Sequence, residues 1–388
     1  MKKILKIAAL LLLLTLFCSC SRLTESNANS NELNNRLIIL ALGIDKDENG
    51  ELNVSVQVLN TDVSSNASSQ SAPENMVKHY SQKGSSLYEA VMKLSDLTGK
   101  QPLLSQNRIV VFGWEAANEG IAEYLDDFVR NTENRTSVLV MVSQGKAQDV
   151  VFAKSGENQI PARTVEQIIE SSAEKSSALS TRIYELVNRV IDEKCSATVP
   201  LIRVKEEENE SKITADNVAV FKGDKLVAVK NNDVAVGILF GRNQIKNGEI
   251  PVEYENKNVA LSVLKSKTKI KTEIVNGKPK FNIAINISLS VSDINDKITE
   301  KKTEKDFEKI KAAAEEKIKY YIENSINECI IKTGSDVFCF GKRLKRTQPK
   351  YFKSNITNWL DDMKNAEYSV EVEVNLKGIG DSAAVLHG

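Results

Sequence analysis

The sequence predicts an α+β protein of three domains, with mixed or antiparallel sheets and packed helices. Three patterns carry that expectation. Phe281, Ile283, Ile285, Ile287, Leu289 and Val291 alternate strictly with Asn282, Ala284, Asn286, Ser288 and Ser290, the period of a strand with one buried face. Phe307, Ile310, Ala314, Ile318, Tyr321, Ile322 and Ile326 form a helical stripe about five turns long. Up to about residue 200, apolar strands alternate with amphipathic helices.

The first twenty residues read as a targeting segment. Lys2, Lys3 and Lys6 precede an apolar run from Ile7 to Phe17. That run is too short for a bilayer, which needs about 20 residues, but suits a signal peptide. Ser19 puts a small residue before Cys20, as a lipoprotein signal peptidase requires, whereas bulky Phe17 precedes Cys18. Cys20 is therefore the candidate lipidation site. Plain secretion with Cys20 as a spare thiol is the competing reading. Two acyl chains of the palmitate type, at about 0.8 kcal/mol per buried CH₂, hold a protein on a bilayer where one does not. Residues 21–34 are Asn/Ser-rich and read as a flexible tether.

An N-terminal α+β domain is expected over 35–204. Leu37 to Gly43 and the alternating Leu52, Val54, Val56 and Val58 make a hairpin around a polar turn. Residues 61–75 read as an exposed loop. Helical spacing follows at Leu87, Val91, Leu94 and Leu97, then a short strand from Arg108 to Phe112. Glu115 to Arg130 reads as one amphipathic helix and Ser137 to Ser143 as an apolar strand. Thr164 and Gln167 resemble a capping box that opens the next helix. Ile183, Leu186, Val187, Val190 and Ile191 mark another.

The charged run 205–212 reads as a solvated loop and a domain boundary. A small middle domain is expected over 213–256. Its hairpin pairs Val218 to Phe221 with Leu226 to Val229, and 241–257 reads as a linker containing Pro251. The C-terminal domain, 257–388, opens on Asn276-Gly277, the strongest short hairpin signal. It closes on the alternating Tyr368, Val370, Val372, Val374 and Leu376. The long helix is the expected cover for this one-sided sheet.

Composition narrows the function classes. Lys plus Arg and Asp plus Glu both number 52, which argues against a nucleic-acid binder. Two histidines, His79 and His387, leave little room for a multi-histidine metal site or a histidine-based triad. Nucleotide-loop, zinc-protease and nucleophile-elbow motifs are absent. Asp126-Asp127 and Asp361-Asp362 are adjacent pairs, and adjacent helical residues do not face one another. They read as surface charges, and His79 as a surface or hydrogen-bonded histidine. Trp114 and Trp359 read as core or interface aromatics. Cys329 and Cys339, ten apart, could pair in an oxidising compartment; buried inert thiols are the alternative for Cys195 and Cys329. No catalytic residue, cofactor or metal ligand is expected.

One charge feature stands out. Lys342, Arg343, Lys345, Arg346, Lys350 and Lys353 are six cations in twelve residues. On a tethered protein such a patch can face anionic head groups or an acidic partner. A solvated loop and helix face is the other reading.

Several blocks, in order, resemble the Ger(x)C family, the lipoprotein C subunits of spore germinant receptors. They are the lipobox-like Leu16 to Cys20, Ile38 to Asp45, residues 102–130, 137–151 and 219–229, Asp336 to Gly341, Pro349-Lys350, Trp359 and the closing VEVEVNLKGIGD. The likeness covers nearly the whole chain. It departs at Ser21-Arg22, where members often carry Trp-Asp, and in the longer polar spacer. The resemblance implies three α+β domains and no catalysis. It also implies two membrane-embedded partners, a larger subunit with a membrane domain and a permease-like subunit, and a place at the spore inner membrane. Two other classes compete. A transporter's solute-binding lipoprotein needs two similar lobes around a cleft, which three unlike pieces disfavour. A lipid-anchored hydrolase lacks its nucleophile motif.

Overall fold

The computed structural model describes residues 35–61, 76–131, 134–154, 160–207, 210–255, 257–294 and 304–377. The expected loop 61–75 lies outside these residues apart from Thr61, and so do Cys18, Cys20 and His387.

The chain opens with the expected hairpin. β1 (Arg36–Lys46) pairs antiparallel with β2 (Leu52–Leu59), and β2 with β3 (Val77–Gly84). The Asp47 carboxylate closes the turn by accepting from the backbone N–H groups of Asn49 and Glu51, both at 2.9 Å. The helix expected over 87–97 is two short ones, α1 (Leu87–Met92) and α2 (Leu94–Thr98), divided at Lys93. Leu87, Val91 and Leu94 are buried, and Leu97 is left outside. β4 (Gln101–Leu103) and β5 (Ile109–Phe112) both run parallel to β1.

The helix expected over 115–130 also divides, into α3 (Trp114–Glu119) and α4 (Ala122–Arg130). The reason is local. Gly120 sits at φ +135°, and a Cβ there would lie 2.5 Å from the Asp224 carboxylate. That turn residue accepts from the Ile121 backbone N–H through its carbonyl at 3.0 Å. β6 (Leu139–Ser143) runs parallel to β5. It leads through α5 (Ala147–Val151), α6 (Pro161–Glu174) and α7 (Ile183–Val190). The Thr164 capping box is corrected: α6 begins at Pro161, whose fixed φ suits a first helical turn.

The loop expected over 205–212 is corrected as well. β7 (Thr198–Glu207) runs parallel to β6 and pairs antiparallel with β8 (Glu210–Lys222). Main-chain pairing tolerates the charged side chains, and Val204, Ile213 and Ala215 on the same ribbon pack against the core under α6. β9 (Lys225–Lys230) pairs with β8. The hairpin expected in a separate middle domain therefore extends the first sheet, whose order is β3-β2-β1-β5-β6-β7-β8-β9 with β4 beside β1. Its central strands are parallel and covered on both faces. Val110 and Phe112 face α1–α4 and α7, while Ile109 and Val111 face α5 and α6.

The second sheet has the order β10-β11-β12-β13. It is reached through α8 (Asn232–Gly241), whose apolar residues are buried. The expected linker 241–257 instead carries β10 (Glu249–Tyr254), with Pro251 on an edge strand as its missing N–H requires. β11 (Lys257–Val275) and β12 (Lys278–Ile294) form the predicted hairpin, with Asn276 at φ +50° and Gly277 at φ +76°. α9 (Glu304–Ser325) covers one face and continues as a π-helical stretch, Ile326–Ile331. α10 (Phe340–Thr347), α11 (Pro349–Asn355) and α12 (Trp359–Asp362) precede β13 (Glu367–Lys377), which runs parallel to β12 and makes the sheet mixed.

Candidate interaction surface

The six clustered cations lie on α10 and α11. Phe340, Gly341 and Leu344 bury one side of α10. Phe340 stacks in a tilted contact on Phe281 at 4.5 Å, and Phe281 meets Trp359 edge-on at 5.9 Å. This aromatic cluster fixes α10 under the β11–β12 hairpin and turns its charged side outward. The cations then part company. Lys342 pairs with the Asp192 carboxylate at 3.3 Å. Arg343 donates from Nη1 to the Ile270 carbonyl at 3.1 Å. Lys345, Arg346, Lys350 and Lys353 are exposed and have no carboxylate partner among the described residues. Tyr351 donates its hydroxyl to the Gly277 carbonyl at 2.8 Å, which ties α11 to the hairpin turn.

Behind α10 lies a polar junction that sequence reasoning did not find. Asp336 is fully buried. Its Oδ2 accepts from the Gly341 N–H at 2.8 Å and from Trp359 Nε1 at 2.7 Å. Burial outweighs these donors and holds the carboxyl above its ordinary range. Its carbonyl accepts from the Ser196 N–H at 2.8 Å. Arg242 donates from Nε to the Val337 carbonyl at 2.8 Å and from Nη1 to Thr198 Oγ1 at 2.9 Å.

A disulfide crosses the same junction, and it corrects the cysteine reading. Cys339 pairs with Cys195, 144 residues away, and not with Cys329. Cys195 is thus no inert thiol. Cys329 is free and buried, and burial pushes its thiol up to about 12. Residue spacing could not find the pair, because its two halves lie 144 residues apart, one before β7 of the first sheet and one at the start of α10 beside the second.

The remaining candidates are structural. Asp126 pairs with Arg130 at 2.6 Å, and Asp361 accepts from Asn358 Nδ2 at 2.6 Å, so one carboxylate of each adjacent pair is taken up by a nearby residue three or four positions away. His79 Nε2 lies 3.1 Å from Gln57 Nε2, with its ring against Phe152 at 4.7 Å. Asp45, at the end of β1, accepts from the backbone N–H groups of Ala147 at 2.7 Å and Gln148 at 3.0 Å, pinning α5 to the sheet. Among the described residues no group of three or more His, Cys, Asp or Glu is placed to hold a metal, and no helix is long and apolar enough to cross a membrane.

Two family profiles match in order. One, described as the spore germination protein N-terminal domain, covers residues 29–204; the other, spore germination B3/GerAC like, C-terminal, covers 216–380. Spore germination protein KC of Bacillus subtilis (strain 168) is 22% identical over 89% of this chain and 88% of its own. Spore germination protein B3 of the same organism is 21% identical over 76% of this chain and 79% of its own. A third relative from that organism, YfkR, is 26% identical, and the match spans about half the length of each, 52% and 53%. The crystal structure of the GerBC protein superimposes with a TM-score of 0.58 over 86% of this chain and 96% of its own, at 18% identity, and bears out the fold. The chain belongs to the Ger(x)C family of spore germination proteins.

Proposed function

We propose that this chain is a non-catalytic, lipid-anchored subunit of a spore germinant receptor. Cys20 carries the lipid, residues 21–34 span from the bilayer to the fold, and the folded part assembles with a larger membrane subunit and a permease-like subunit on the extracytoplasmic face of the spore inner membrane. The observation that carries the reading is the ordered pair of family domains behind the lipobox-like Leu16 to Cys20. The buried polar groups support it. Asp45, Asp336 and Arg242 hold one element against another. Such groups position surfaces. Tethering raises the effective concentration of a subunit near its partners, so weak contacts suffice for assembly. The cations of α10 and α11 belong to the surface that meets membrane or partner.

The test is deletion in a spore former whose other germinant receptors are removed. Nutrient germination should fail while a receptor-independent trigger still works. Normal nutrient germination in that strain would refute the assignment. Cys20→Ala should release most of the chain from membranes, apart from uncleaved precursor, with a milder germination defect than the deletion.

A further inference from the structure

We infer that β11, α10 and α11 form one docking surface for an anionic lipid bilayer, wider than the helical patch alone. The inference rests on the membrane-side placement proposed above and adds the surface that faces the lipid. Lys265, Lys267, Lys269 and Lys271 occupy alternate positions of β11, so they stand on one face of the sheet, and all four are exposed. Directly across, β12 presents Ser288, Asn286, Ala284 and Asn282, none of them charged. None of the four lysines meets a carboxylate among the described residues. At about 3.4 Å per residue the column is roughly 20 Å long.

The helices border this face along the edge of β11. Beyond Val263 no strand among the described residues pairs with the outer edge of β11. α10 lies along that edge, with Arg343 on the Ile270 carbonyl, and α11 reaches the turn through Tyr351 on Gly277. The two runs 263–280 and 340–355 together hold twelve cations and a single carboxylate, Glu273. The whole chain is balanced at 52 against 52. The acids of this sheet stand apart from the lysine column: Glu249 and Glu253 are on β10, which pairs with β11 only as far as Ser262, and Glu367, Glu371 and Glu373 line β13, two strands away, at about 10 Å. The part of β11 from Lys265 to Lys271 is thus the basic part of the sheet, and it suits an anionic plane.

The chemistry favours lipid over an acidic protein. Protein interfaces centre on buried aromatic or apolar anchors. The large apolar side chain exposed beside the lysine column is Leu264, alone at the bulge of β11. Spread lysines on long stems, with one apolar side chain among them, fit head groups and their boundary with the acyl region.

The test uses the chain from residue 21 onward, which keeps every described residue and lacks the acylated position. It is sedimented with phosphatidylcholine vesicles, with and without phosphatidylglycerol. Binding should require phosphatidylglycerol and fade with added salt, because the Debye length shortens. The triple variant Lys265→Glu, Lys267→Glu and Lys269→Glu should lose at least about a hundredfold in partitioning, since each cation near the surface is worth about fivefold. The same charge change placed elsewhere, Lys154→Glu with Lys175→Glu and Lys225→Glu, should leave partitioning within about twofold. No binding to anionic vesicles, or equal loss in both variants, overturns the inference. So does an intact vesicle affinity in the first triple variant. If vesicles are ignored while the deletion strain still fails to germinate, this inference falls and the receptor assignment stands.

Discussion

The two sheets solve burial in different ways. At the centre of the first, Ile109, Val110, Val111 and Phe112 are all fully buried, because helices cover both faces. In β12 only every second residue is buried, from Phe281 to Leu289, and the opposite face is polar. A parallel sheet needs crossover connections, and these bring helices to its faces; a hairpin needs none. Residues of one chain therefore live under two different rules for substitution.

The sharpest way to break that contrast is to place a carboxylate on adjacent residues of each sheet. Val110→Asp and Val111→Asp should both cost about 4 kcal/mol or more, since each buries an unpaired charge. In β12, Ile283→Asp should be as severe. Asn282→Asp should stay within about 0.5 kcal/mol. It faces solvent opposite Lys271 and keeps the acceptor for the Ser369 hydroxyl at 2.6 Å. Urea unfolding of the four variants reads this directly. A mild Val110→Asp would mean that one face of the first sheet is open.

The same contrast explains what was legible in the sequence. Strict alternation at 281–291 and the Asn276-Gly277 turn were read correctly because one-faced burial writes its period into the residues. Apolar runs such as Ser137 to Ser143 were found as strands too, but their neighbours and direction were not. Pairing between distant strands leaves no local mark. The charged residues 205–212 misled because main-chain hydrogen bonds do not depend on side-chain polarity. The divided helices were missed for a similar reason, since Gly120 answers to Asp224, about a hundred residues further on. At the candidate surface the six cations were visible as composition. The lysines of β11 were equally visible, but only the fold places α10 and α11 against them.

A second prediction concerns the link between the sheets. Cys195 precedes β7 of the first sheet, and Cys339 caps α10 beside the second. Cys339→Ser should lower stability by about 2–4 kcal/mol, because the unfolded chain loses a long closed loop. Cys195→Ser should cost about the same, and the double variant little more than either. If the double variant is additive, each cysteine is stabilising through packing, and the covalent link contributes nothing.

A third prediction tests the carboxylate at that junction by its pH dependence. Burial raises the Asp336 pKa above its unfolded value of about 3.9. The folded state then holds its proton more tightly than the unfolded state. The resulting stabilisation is complete below the unfolded pKa and is lost as pH rises through the folded pKa. Above that point the protein carries a buried charge with two donors and an unpartnered Oδ1. Asp336→Asn keeps an acceptor for Gly341 and Trp359 without the charge. It should therefore be more stable than the parent at neutral pH, and the gain should vanish as pH falls towards the unfolded pKa. A variant that is less stable at neutral pH, with no convergence in acid, would show that the charge is needed for its two hydrogen bonds.

The smallest effect is expected at Lys342, and it separates the two roles of the cation cluster. Lys342 spans the gap between the sheets to Asp192, but its side chain is 67% exposed. An ion pair so open to water is screened by salt and gives back part of its attraction in lost side-chain freedom. Lys342→Ala should thus change unfolding stability by less than about 0.5 kcal/mol. Lys342→Ala combined with Asp192→Asn should leave vesicle partitioning near its original value, because the pair carries no net charge. Arg346→Ala, on the same helix and without a carboxylate partner, should be equally neutral for folding yet weaken partitioning about fivefold. If the double variant and Arg346→Ala weaken partitioning equally, the ion pair does not shield Lys342 from the lipid surface, and the division of the helix into a bridging cation and lipid-facing cations is wrong.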